Sequence, residues 1–74
     1  MNKTYQIVRL VVLAIPSPHG HDDVLYRTGR LRVEDGNVMI YHNGTQTWVA
    51  TDNTIGMIKE LLDEGRIVPI PHHE

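Results

Sequence analysis

Residues Arg30 to Val49 read Arg-Leu-Arg-Val-Glu-Asp-Gly-Asn-Val-Met-Ile-Tyr-His-Asn-Gly-Thr-Gln-Thr-Trp-Val. Two turn dipeptides, Asp35-Gly36 and Asn43-Gly44, sit between short runs rich in β-branched and aromatic residues. Each dipeptide suits a two-residue type I′ hairpin turn, in which both central residues need positive φ. The spacing therefore predicts three strands in a meander. Around Asp35-Gly36, Val33 faces Val38, Arg32 faces Met39 and Leu31 faces Ile40. Around Asn43-Gly44, a two-residue turn pairs Tyr41 with Gln46, Met39 with Trp48 and Val38 with Val49.

Both turns sort the side chains alike. Leu31, Val33, Val38, Ile40 and Val49 fall on one face, and Arg30, Arg32, Met39, Tyr41, Gln46 and Trp48 on the other. A one-residue slip would mix the two sets, because strand side chains alternate with period two. The aliphatic face is the expected core. The other carries Arg, Tyr, Trp and Met, the side chains enriched at protein interfaces and their energetic hot spots. Its six residues are the candidate partner-binding site.

Upstream, Tyr5 to Ile15 is apolar on both faces except at Arg9, as expected of a central strand covered on two sides. Pro16 and Pro18 are expected to end it, leaving residues 16–23 as an extended loop. Downstream, Thr51, Asp52, Asn53 and Thr54 are N-cap candidates for a helix of about eleven residues. Ile55, Ile58, Leu61 and Leu62 form its apolar stripe, and Gly65 stands where a C′ glycine stops a helix. Gly56 points to a close approach near the first turn. Arg66 to Ile70 is an extended run that Pro69 makes an edge strand or a short one, and residues 71–74 are expected to fray. The reading is one α+β domain over residues 1–74: a small antiparallel meander sheet, one C-terminal helix and a short final strand. An SH3-like barrel is the alternative.

Composition narrows the function. The 74 residues include no cysteine, which excludes disulfides and thiolate zinc sites and makes a reducing, cytoplasmic setting the expectation. Seven Lys and Arg against nine Asp and Glu leave a net charge of −2, unlike the basic balance usual in nucleic-acid-binding domains. Leu10 to Ile15 is too short for a signal-peptide core or a membrane span. Five histidines are present. His19-Gly20-His21-Asp22-Asp23 resembles the H-x-H-x-D-H element of metallo-β-lactamase-fold hydrolases, but Val24 stands at its last ligand position. The plain reading of His19 and His21 is a solvated polar loop, with no cofactor expected. A structural metal site on His19, His21, His72 and His73 is the alternative, since side chains at i and i+2 of an extended segment point the same way. Ser17 near His19 is adjacency in sequence rather than triad geometry, and no glycine-rich phosphate loop opens a helix. No enzyme is expected.

In size and character the chain resembles small regulators that bacteriophages encode to bind host RNA polymerase. The stretches that carry the resemblance are Tyr5-Gln-Ile-Val-Arg-Leu-Val-Val-Leu13 and the Arg/aromatic hairpin through Trp48. The resemblance implies binding without catalysis. Such a protein would occupy a polymerase surface, inhibit initiation or promote antitermination, and compete with an initiation factor or a nucleic-acid contact. The alternative is a nucleic-acid-binding module that stacks bases on the same face, with arginines on phosphates.

Overall fold

A computed structural model describes residues 3–71. They form β1 (Lys3–Ile7), β2 (Val11–Ser17), β3 (Gly20–Tyr26), β4 (Gly29–Glu34), β5 (Asn37–His42), β6 (Thr47–Ala50), α1 (Gly56–Asp63) and β7 (Ile67–Pro69). The described residues adopt the expected small α+β fold, with its antiparallel meander, one helix and a short final strand. The meander β4-β5-β6 belongs to a five-stranded sheet in the order β6-β5-β4-β1-β7, and β2-β3 form a separate two-stranded sheet. The larger sheet is open, with β6 and β7 at its edges, so its ladder does not close into a barrel.

The first hairpin matches its expected register. Leu31, Arg32 and Val33 face Ile40, Met39 and Val38. Asp35 and Gly36 have φ of 52° and 81°, the left-handed pair that a type I′ turn requires. The second turn departs from its expected form. His42 pairs with Thr47 and Tyr41 with Trp48, so four residues, Asn43 to Gln46, make the connection. Left-handed φ falls on Gln46, at 54°, rather than on Asn43-Gly44. The register thus moves by two residues. An even shift keeps every strand residue on its expected face.

The apolar run from Tyr5 to Ile15 is two strands instead of one. β1 lies between β4 and β7, with Tyr5 opposite Leu31 on one side and Pro69 on the other. The chain then bends at residues 8–10, and Arg66 holds the bend. Its carbonyl accepts the N–H groups of Val8 and Arg9, at 2.9 and 3.2 Å, and its guanidinium Nη1 donates to the Leu10 carbonyl at 2.6 Å. Past the bend, β2 leaves the sheet and folds back over it.

Residues 16–23, expected as a loop, instead complete a hairpin. Val11, Leu13, Ile15 and Ser17 of β2 face Tyr26, Val24, Asp22 and Gly20 of β3. Pro16 lies inside this ladder. A two-stranded ladder has solvent along both edges, so β2 tolerates a residue without an N–H. Asp52 N–H donates to the Ala14 carbonyl at 2.8 Å, and Ala14 N–H to Asn53 Oδ1 at 3.4 Å, fastening the hairpin to the segment after β6.

The buried core joins Tyr5, Ile7, Leu31, Val38, Ile40 and Ile67 of the large sheet to Val11 and Leu13 of the hairpin and Ile58 and Leu61 of α1. Val33 and Val49 pack at its margin. All the large-sheet members share one face, which hairpin and helix cover together. Burying this face stabilises the fold by about 25 cal/mol per Å² of apolar surface removed from water.

The helix is eight residues long, shorter than expected, because the supposed cap residues have other partners. Thr51 Oγ1 donates to the Val38 carbonyl at 2.8 Å, and Asn53 reaches β2. Ile55 occupies the N-cap with no side-chain cap. Gly56 makes no close approach, its nearest contact being Thr54 Oγ1 at 3.8 Å from an added Cβ. The C-terminus stops as expected. Gly65, at φ 71°, donates to the Leu62 carbonyl and Arg66 N–H to that of Leu61, the paired bonds of a Schellman motif. β7 is the edge strand that Pro69 predicted. The expected fraying concerns residues 71–74, of which 72–74 lie outside the described residues.

Candidate interaction face

The face opposite the core is covered by no other element among the described residues. The helix packs on the core side through Ile58 and Leu61, so it does not lie over Trp48 or Met39. Arg30, Arg32, Met39, Tyr41 and Trp48 all project from this uncovered face. Gln46 does not join them. It is an exposed turn residue, and its left-handed backbone is part of the four-residue connection rather than of β6.

Four of the five, Arg30, Arg32, Tyr41 and Trp48, form an interleaved stack built by strand register. Tyr41 on β5 and Trp48 on β6 are cross-strand partners, and their rings meet edge to face with centroids 5.3 Å apart. The Arg32 guanidinium lies 4.4 Å from the Trp48 ring centre, although β5 runs between their strands. The two side chains therefore meet across β5. The Arg30 guanidinium lies 4.9 Å from the Tyr41 ring centre. Cations held over aromatic faces are attracted by the ring quadrupole, by about 0.5–1 kcal/mol at exposed sites.

The two arginines differ in what remains to them. Arg32 is half-buried, and its Nη2 lies 3.1 Å from Glu34 Oε1. Its Nε is shielded from solvent and has no acceptor among the described residues. Arg30 is exposed and has no ion pair among the described residues. Stacking uses the flat face of a guanidinium and leaves its N–H edge available for carboxylate or phosphate.

Sequence reasoning missed part of this face. Thr4 pairs with Arg32 and Gln6 with Arg30, while Val68 lies beyond Gln6. The face therefore continues across β1 to β7, where Val68 is 43% exposed. Gln6 Nε2 donates to the Gly29 carbonyl at 2.9 Å, tying the Gln6 side chain to the start of β4. The alternation Lys3-Thr4-Tyr5-Gln6-Ile7 carried the signal for these positions. Reading it needed the distant pairing of β1 with β4.

The histidine-rich segment is a hairpin tip. His19 occupies the turn, with Nε2 2.9 Å from Asp22 Oδ1, and His21 Nε2 lies 3.8 Å from Asp23 Oδ1. No group of three or more potential ligands converges among the described residues. His72 and His73 lie outside them. No helix among the described residues is long and apolar enough to cross a membrane. Compared with known proteins, the chain matches no family model, no curated protein and no solved structure.

Proposed function

We propose that this chain is a non-catalytic protein-binding module that works through the uncovered face of its five-stranded sheet. One observation carries the reading. A small domain with a single tryptophan leaves that residue outside its core and stacks an arginine on it. A tryptophan serving only the fold usually packs against the core, whereas Trp48 is partly buried on the opposite face and belongs to no part of the core cluster. Here the core is wholly aliphatic apart from Tyr5. The Arg, Tyr and Trp that remain are pre-organised by their own stacking. Pre-organisation lowers the conformational entropy lost on binding.

The partner most worth testing is bacterial RNA polymerase, in a bacterial cytoplasm. The support is the resemblance to small phage regulators, together with a face suited to occupying a protein surface. On this reading the chain blocks a polymerase contact needed for initiation, or alters elongation toward antitermination, by steric occupation. Nucleic-acid binding is the second reading, favoured by two arginines interleaved with aromatic rings. The net charge of −2 weighs against it.

Affinity capture from a bacterial lysate, with and without nuclease, separates the readings. Polymerase subunits retained after nuclease by the wild type and lost with Arg30→Glu are the expected result. Arg30 has no ion pair among the described residues, so the substitution tests binding with little effect on folding. Retention unchanged by the variant removes this face from consideration. Capture abolished by nuclease, with affinity falling steeply as salt rises, transfers the function to nucleic acid.

A further inference from the structure

On the core side of the sheet, α1 does not close completely over β1 and β4. An open cleft of about 330 Å³ remains, floored by Tyr5, Val33, Ile58 and Leu62, with Ile55 where the helix begins. Ile55 is 47% exposed. The two charged residues that line the cleft, Lys3 and Lys59, are both cations. The helix N-terminus beside Ile55 has no side-chain cap and no acidic residue in its first turn. Its positive dipole end therefore adds to the potential of the lysines. The result is an apolar floor within a positive rim, on a chain whose net charge is negative.

From this we infer a second binding site, distinct from the arginine face, that takes an acidic amphipathic segment of a protein partner. Apolar side chains of the segment enter the cleft, and flanking carboxylates meet Lys3 and Lys59. The cleft is at the small end of the range for ligand pockets and is open along one side. That shape suits side chains presented by a continuing backbone better than a small molecule needing enclosure. Lys59 is paired with Asp63 at 2.8 Å, but both groups are highly exposed. Such a pair contributes little and is readily exchanged for a partner's carboxylate.

The test uses the full chain, labelled for backbone and methyl NMR, and three synthetic peptides of about three helical turns. Each carries the same leucine stripe, with Glu, Gln or Lys at every other position. The Glu peptide is expected to shift the methyls of Val33, Ile55, Ile58 and Leu62. It should bind roughly two- to thirtyfold more tightly than the Gln peptide, the fold-change of two exposed ion pairs. That advantage should vanish in the double variant Lys3→Gln, Lys59→Gln. Equal affinity for Glu and Lys peptides overturns the inference. So do shifts confined to Arg30 and Trp48, no shift with any peptide at millimolar concentration, or cleft shifts with dodecanoate but not with the Glu peptide.

Discussion

Truncating Trp48 to alanine separates the interaction face from the core. A tryptophan packed in a core loses about 3–5 kcal/mol on truncation. Trp48 instead forms one edge-to-face pair with Tyr41 and one stack with Arg32. The first is worth about 0.5–1.5 kcal/mol and the second about 0.5–1 kcal/mol. These two contacts contribute about 1–2.5 kcal/mol beyond the apolar area that the partly buried indole covers, and the total loss should still fall short of the core figure. Domains of this length have roughly 4–11 kcal/mol in total, at about 0.05–0.15 kcal/mol per residue. Trp48→Ala should thus remain mostly folded even at the low end. Urea unfolding followed by circular dichroism measures the difference, and the native dispersion of core methyl signals checks the fold. Binding should fall much further, by about thirtyfold or more if Trp48 is a hot spot worth at least ~2 kcal/mol. A stability loss near 4 kcal/mol, or collapse of the methyl spectrum, would show that the indole belongs to the core. Full stability with undiminished partner capture would refute its role in binding.

Arg66→Gln should destabilise by about 1.5–3 kcal/mol, the worth of a hydrogen bond from a charged group to the Leu10 carbonyl; a midpoint unchanged in urea would show that the bend at residues 8–10 holds without it. Gly65→Ala should cost about 1–2 kcal/mol from backbone strain alone, since φ is 71° and an added Cβ would meet nothing within 4 Å. A change under ~0.5 kcal/mol in thermal or urea melts would mean that the C-terminus of α1 relaxes. Leu13→Ala empties a fully buried position where the hairpin meets the sheet and should cost about 2–5 kcal/mol. Hydrogen exchange should then show residues 11–26 losing protection, and protection equal to wild type there would contradict the packing described.

Local chemistry was legible in the sequence, and long-range chemistry was not. Asp35-Gly36 forms its turn as read, because the requirement for positive φ at both positions is local. Asn43-Gly44 carried the same signal, yet the chain uses a longer turn and left-handed Gln46. The faces stayed correct because the register shifted by an even number, and only Gln46 was lost from the candidate site. β3 gave little signal, since Gly20-His-Asp-Asp is a poor strand former. It is held by the pairing of Val24, Leu25 and Tyr26 with Leu13, Val12 and Val11. The break after Ile7 was marked in the sequence only by Arg9, because what fixes it is Arg66, more than fifty residues further along the chain. Similarly, Thr51 and Asn53 looked like helix caps until their tertiary partners were known.

The pairing of β1 with β7 has a topological consequence. Tyr5 lies opposite Pro69, and Ile70 N–H donates to the Thr4 carbonyl at 2.9 Å. The first and last strands are thus neighbours, so a short linker could join them and new ends could be opened within Asn43 to Gln46. Such a circular permutant would keep every ladder intact while separating the two strands that carry Tyr41 and Trp48 along the chain. It would also convert the aromatic pair from a product of one hairpin into a contact between the two new ends of the molecule.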